Sequence, residues 1–295
     1  MNTTVKKAIS YGLFPTVFTA AIAGAIYGMK AGIDPGIITA AIAIVTVFIV
    51  FIFERILPMH KNWLKVHNDV KTDLLHGAFS MILIPQLLEA LLVTALLTVA
   101  IKLSSLIGFN LWPTNWHLVP QLALAMIVSQ FGEYWWHRLA HEVPFLWRFH
   151  SVHHSPKRLY WLNAARFHPV DIAVSFTLSI STLVILGAPE EILTLLTVWF
   201  IVHGLFQHCN IDIRLGFLNY IFSNAELHRW HHSLVLEEAN ANYGNNILFW
   251  DIVFGTVYYP KDKAASEHIG LCDFKEFPED YIDQIKAPFE WKKLK

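Results

Sequence analysis

Long apolar runs separated by short polar stretches dominate the chain. They fall at about 11–29, 36–53, 74–101, 119–136, 170–187 and 190–208. Roughly 20 apolar residues carry a helix across a bilayer, so the pattern predicts six spanning helices. The fifth and sixth form a hairpin whose turn, 187–191, holds Pro189, Glu190 and Glu191 and faces water. A re-entrant hairpin fits the same pattern. Lys6 and Lys7 precede the first run as they would a secretory signal. No clear small-residue cleavage site follows and a second run comes soon after, so the run predicts a retained helix.

The polar stretches are unevenly charged. One set carries Lys6 and Lys7, then Arg55, Lys61, Lys65 and Lys71, then Arg138, Arg148, Lys157, Arg158 and Arg166. The opposite set has only Lys30 and Lys102. The excess of Lys and Arg on cytoplasmic loops places the first set, and both termini, in the cytosol. From about 261 the chain is more charged and holds Pro278 and Pro288, the pattern of a peripheral cytosolic tail.

Composition agrees with a membrane protein. Hydrophobic residues make up 55% and charged residues 15%, and the mean hydropathy is +0.43; soluble domains carry roughly 25% charged residues. A net charge of −1 gives no basis for nucleic-acid binding. Cys209 and Cys272 are far apart in no CxxC pattern, against a disulfide framework, a zinc ribbon or a four-cysteine iron–sulfur cluster.

Histidine changes the picture most. The chain has 16, of which 11 lie between His137 and His232. On a helix, positions three or four apart share a face. His137 and His141 therefore project together, as do His150, His153 and His154 in "HSVHH", and His228, His231 and His232 in "HRWHH". Imidazoles crowded near a membrane would repel if protonated and cost desolvation if unpaired. A bound metal removes both problems, and neutral imidazole suits iron, zinc and copper. Eight imidazoles exceed what one ion takes, so the expectation is two metals. His208 in "FQHCN", at the end of the sixth span, is a ninth candidate, because a histidine buried in a span is costly and usually functional. His203 and His168 are further candidates, the latter as a ligand or as a group that orients one. Glu133, one turn before His137, and Asp171 are candidates to hold the second nitrogen of a ligand histidine; Glu133 can equally pair with an interfacial cation such as Arg138. His60, His67, His76, His117 and His268 are read as ordinary surface or core residues. The aromatic residues crowding the region, such as Trp135, Trp136, Trp147 and Trp161, fit an interfacial belt or the walls of a substrate channel.

The motifs "HRLAH", "HSVHH", "ARFHPVD", "FQHCN", "HRWHH", "NYGNN" and "WDIVFGT" together resemble the fatty acid hydroxylase and sterol desaturase superfamily, over about residues 125–260. That family comprises integral membrane, non-haem di-iron oxygenases. The resemblance implies metal ligation by His137, His141, His150, His153, His154, His228, His231 and His232, and by His208. Asp171 stands where the family often has Glu. It implies two iron ions that activate O2 against a C–H bond of a membrane lipid, a fatty acyl chain, sterol or ether lipid. Zinc is expected to replace iron on purification. The expected architecture is all-α: a transmembrane bundle with a cytosolic, histidine-rich helical cap. Its parts are an N-terminal region (1–118, three spans), a catalytic region (119–260) and a tail (261–295). No Rossmann fingerprint, haem-thiolate cysteine or flavin motif occurs, so electrons are expected from a ferredoxin or a cytochrome b5-like protein. Alternatives sharing the site are desaturation and ether cleavage. A zinc-dependent membrane hydrolase needs fewer ligands, and a bis-histidine haem carrier would place its pairs within the spans. A metal transporter is the remaining non-enzymatic reading. No GxSxG elbow is present.

Overall fold

A computed structural model describes residues 1–65, 67–109, 111–274 and 276–294, with the backbone alone at residue 93. Among them no β-strand occurs beyond isolated bridges. Six long helical stretches form the body. α1 spans Thr3–Lys30 and α2 spans Pro35–Ile56. The next stretch joins α3 (Val70–Leu75), a π-helical section (His76–Leu83) and α4 (Ile84–Ile107). α5 runs over Leu118–Glu142. After the shorter α6 (Pro144–His154) come α7 (Pro169–Leu186) and α8 (Glu190–Gln207). Short helices complete the chain: α9 (Ala225–His231), α10 (Leu236–Ala239), α11 (Phe249–Phe254), α12 (Tyr281–Lys286) and α13 (Trp291–Leu294).

Local chemistry sets the turns. Asp34 caps α2, its carboxylate accepting from Gly36 N (2.8 Å) and Ile37 N (3.2 Å), with Pro35 at the first helical position. Gly187 ends α7 in the left-handed conformation (φ 81°), so the chain reverses into α8 within a few residues.

Five stretches are long and apolar enough to cross a membrane: Thr3–Lys30, Pro35–Ile56, Val70–Leu92, Pro169–Leu186 and Glu190–Gln207. In four of them 11–22% of the apolar window is buried, against 50% for α8, so α8 is the central helix and the others expose apolar surface. That surface includes Phe48 on α2 and Leu91, Ile101 and Leu106 on α4, as contact with lipid tails requires. The expected span at 119–136 is helical, as part of α5. It differs in carrying Gln121, Ser129, Gln130 and Glu133 buried against the protein, which lowers its apolarity.

α8 packs on α1, α2 and α5, and α7 packs on α4 and α5. Gly132 lets α5 approach α7 closely: a Cβ there would sit 2.9 Å from Leu178 Cβ. Successive long helices reverse direction. The C-terminal ends of α2, α5 and α8 and the N-terminal ends of α3 and α7 meet at one end of the body. There Glu54 accepts from Trp161 N and Asn210 N, and Asp73 pairs with Arg166. At the opposite end the α1–α2 turn lies beside Glu190 and Glu191 of α8.

Candidate metal centre

Nine imidazoles converge where those helix ends meet. They form two groups, each with its nitrogens within 4.8 Å of one another: His137, His141, His150, His154 and His231, and then His153, His208, His228 and His232. Helix periodicity builds both. His137 and His141 sit one turn apart on α5, and α6 sends His150 and His154 to the first group while His153, a third of a turn away, faces the second. α9 likewise sends His231 to the first group and His228 to the second. His232 caps α9 and His208 caps α8.

Six rings are aimed by a partner on Nδ1. His137 donates to the Tyr243 carbonyl (2.7 Å), His231 to that of Ala241 (2.8 Å) and His153 to that of Arg166 (3.2 Å). His141 meets Asn240 Oδ1 (3.2 Å), His208 meets Asn163 Oδ1 (3.1 Å) and His150 meets Asp171 Oδ2 (2.8 Å). Asp171 Oδ1 also accepts from Trp136 Nε1 (2.6 Å). The Nε2 atoms point inward, with His137 and His231 at 2.8 Å, His141 and His154 at 3.1 Å, and His208 and His228 at 2.9 Å.

These distances test the fit to metal. A carbonyl oxygen only accepts, so His137 and His231 carry their protons on Nδ1 and their Nε2 atoms are both lone-pair donors. Burial and neighbouring imidazoles hold the His231 pKa well below the ordinary imidazole range, so its Nε2 is not protonated either. Two lone pairs 2.8 Å apart repel unless they share a cation. Nitrogens bound at about 2.1 Å to one ion lie roughly 3.0 Å apart when adjacent and about 4.2 Å when opposite. The His137–His231 and His141–His154 contacts of the first group, 2.8 and 3.1 Å, match adjacent positions. His153, His154, His228 and His232 are likewise held well below the ordinary range by burial first and by other imidazoles second, so these four, like His231, are neutral and ready to ligate.

Three candidates lie elsewhere. His168 caps α7, accepting from Val170 N (3.1 Å) on Nδ1 while Nε2 donates to Ile285 O (3.1 Å), so it latches the C-terminal segment. His203 is buried in α8 against Phe14 and Phe222 with both ring nitrogens unpaired, and joins neither group. Glu133 neither holds His137 nor pairs with Arg138, whose partner is Glu142. Its carboxylate bonds Gln130 and Ser175, and Asn245 interacts with both Glu133 and His137. The Tyr243 carbonyl, not the Glu133 carboxylate, occupies Nδ1 of His137.

Several supporting residues carry no spacing signal in the sequence. Asp251 accepts from Tyr243 N (2.8 Å), Gly244 N (2.7 Å) and Thr256 Oγ1 (2.7 Å), fixing the loop whose carbonyls orient His137 and His231. The Arg166 guanidinium binds Asp73, which also accepts from Tyr160 Oη (2.6 Å). Arg158 holds Asp69 and the carbonyls of Trp63 and Lys65. Arg229, between two ligand histidines, donates to the carbonyls of Cys209 (2.9 Å) and Ile211 (2.7 Å). "NYGNN" and "WDIVFGT" stand out as motifs in the sequence, but only the fold brings Asp251 of the second onto the backbone of the first.

An all-helical body with apolar spans and two buried histidine groups defines an integral membrane oxidoreductase acting on lipids. The chain belongs to the fatty acid hydroxylase family, which uses iron: the family profile, Fatty acid hydroxylase, matches residues 122–256. The ornithine lipid hydroxylase OlsE of Rhizobium tropici is 34% identical over 287 residues, 97% of this chain and 85% of that protein. Alkylglycerol monooxygenase of Danio rerio is 29% identical over 257 residues, 83% of this chain and 54% of that protein. Methylsterol monooxygenase 1 of Rattus norvegicus is 26% identical over 157 residues, 50% of this chain and 52% of that protein. The chain thus spans about half the length of the latter two. No solved structure matches it significantly.

Proposed function

We propose that the protein is a di-iron monooxygenase that hydroxylates a membrane lipid, with the five-histidine group holding one iron and the four-histidine group the other. The observation that carries this reading is the facing of lone pairs on His137 and His231 within a cluster of nine converging imidazoles. Nine nitrogens over two ions leave positions open at each, which a closed structural site would not. Bound iron would supply the reduction of O2 and the attack on a C–H bond.

The chain's own residues hold and insulate that chemistry. Asp171 and the Tyr243 and Ala241 carbonyls fix ring orientation and tautomer, which also raises ligand basicity. Eight of the nine imidazoles are buried, which keeps water from an oxidising centre. We assign the chemistry to 119–260. The region 1–118 braces it through Glu54, Asp69 and Asp73, and 261–295 covers it. Electrons come from a separate ferredoxin or cytochrome b5-like donor, and zinc replaces iron when the protein is overproduced.

The relative that matches the chain nearly end to end is named an ornithine lipid hydroxylase. An acylated amino-acid lipid is therefore the first substrate to test, ahead of sterols and ether lipids. Lipid extracts from cells making the wild-type protein should contain such a lipid heavier by one oxygen. The His231→Ala variant should insert in the membrane and give none. A wild-type extract with lipids shortened by ether cleavage, or carrying only new double bonds, would replace hydroxylation by the corresponding reaction.

A further inference from the structure

One cavity reaches the histidine groups from outside. It measures about 280 Å³; Trp147, Leu236, Ala239, Leu271 and Trp291 form the apolar part of its lining, and His141 and His154 stand among the polar part. His141 is the one group member that is not fully buried. Trp147 lies against both metal-facing rings, its centroid 5.1 Å from His141 and 5.4 Å from His154. None of the lining residues comes from the five apolar stretches. The cavity is built by the end of α5, α6, α10 and the C-terminal segment, on the capped end of the body.

We propose that this cavity is the chamber in which the reacting hydrocarbon segment of the lipid meets the first metal position, and that the C-terminal segment is its outer wall. The inference rests on the oxygenase reading and adds where the substrate lies. The lining chemistry selects the occupant. Two indoles, two leucines and an alanine offer an apolar surface beside the imidazoles, where a hydrocarbon gains by leaving water, while Ser233, Asn240 and Asp273 add polar groups to the same lining. Size selects how much of it enters. Cavities for whole drug-sized ligands span roughly 300–1,000 Å³, so this one takes a segment of a lipid and leaves the rest outside.

The tail is tied in place independently of any ligand. Ile269 bridges to Ser233, and Gly270 N donates to the carbonyl of His232 (3.4 Å). Trp63 Nε1 donates to Glu267 O (3.1 Å), Thr72 to Glu279 O (2.8 Å) and His168 to Ile285 O (3.1 Å). The wall formed by Leu271 and Trp291 is thus positioned by contacts that reach a ligand's own backbone. Trp147, Ala239 and Trp291 become specificity-determining residues.

The test uses the full-length, zinc-loaded protein in phosphatidylcholine nanodiscs, with a palmitic acid analogue bearing a mid-chain diazirine as probe. Photolysis should label peptides containing Trp147, Ala239 or Trp291. In a hydrophobic pocket one methylene changes discrimination by roughly 10–200-fold, so Ala239→Trp should cut that labelling by at least roughly tenfold. Leu106→Trp, on the lipid-facing side of α4, should leave it unchanged. Should Ala239→Trp lose its metal, Leu271→Phe narrows the same cavity from a wall that bears no ligand, and should also reduce labelling. Labelling confined to the spanning helices, or unaffected by a metal-replete cavity variant, overturns the proposal. The zinc-loaded protein needs no turnover. Labelling in this chamber by a protein whose iron form inserts no oxygen would refute the oxygenase and spare the chamber. Hydroxylation by a protein labelled only elsewhere would do the reverse.

Discussion

At the scale of single residues, the centre is governed by which nitrogen of each ring carries the proton. Carbonyl, amide and carboxylate oxygens take Nδ1 of His137, His141, His150, His153, His208 and His231, leaving Nε2 for metal. Asp171 does so with a charge. Asp171→Asn should weaken iron binding by roughly 10–100-fold while the protein still folds and inserts; metal titration of the purified variant measures it. Burial has a second consequence. Imidazoles held below their ordinary pKa refuse protons that the unfolded chain accepts below about pH 6.5. The metal-free protein should therefore lose stability as the pH falls through about 6.5 and show little dependence above it, because there both states are neutral. Thermal midpoints of metal-stripped protein between about pH 8 and 5 check this, and a flat profile would contradict it. All nine converging histidines were legible from i, i+3 and i+4 spacing and the family motifs. Their division into five and four was not, because it depends on which side of α6 and α9 faces which neighbour. His203 illustrates the limit: the sequence marks a costly histidine in a span, but only packing shows that its neighbours are Phe14 and Phe222 rather than other imidazoles.

At the scale of elements, the ends of the long helices α5 and α8 and the shorter α6 and α9 carry the converging histidines, and buried polar clamps fix them. The Asp251 carboxylate gathers two backbone N–H groups and a hydroxyl at the loop 243–244. Removing a partner from a buried donor costs about 1–3 kcal/mol, so Asp251→Ala should destabilise by at least that and release the Tyr243 carbonyl from His137. Loss of metal and a lower thermal midpoint should appear together. Gly244 is equally constrained, since a Cβ would stand 2.3 Å from Ile247 O and 2.7 Å from Asp251 Oδ2. The Asp73–Arg166 pair joins α3 to the segment whose carbonyl holds His153. Breaking a buried pair on one side costs about 3–5 kcal/mol, so Asp73→Ala should be among the most destabilising substitutions outside the ligands. Equal thermal midpoints for this variant and the wild type would show that α3 is not a brace. Sequence patterning located the long helices but not these links, which join residues such as Asp73 and Arg166 across long stretches of chain.

At the scale of the whole molecule, alternating helix directions bring all nine converging histidines to one end of the body. The apolar pattern located α1, α2, the Val70–Leu92 stretch, α7 and α8. It treats 119–136 as equivalent to them, whereas α5 buries Gln121, Gln130 and Glu133, which bond Trp112, Asn246 N and Ser175 of α7 respectively. Five reversals between the six long stretches place the α1–α2 turn and the loop after α6 at opposite ends, and on the Lys and Arg distribution we propose that the histidine end faces the cytosol. Single cysteines replacing Ile33 and Lys157 should therefore react with impermeant reagents from opposite faces of the membrane. Labelling of both from one face would break the six-helix arrangement. The most direct measurement of the central claim is the origin of the oxygen atom in the product. Membranes containing the iron-loaded protein, given reductant, a lipid extract and isotopically heavy O2, should yield a lipid bearing one heavy oxygen, dependent on reductant and lost in His231→Ala. A product that takes its oxygen from water, formed equally well without O2, would contradict the account and point to a zinc-dependent hydrolase.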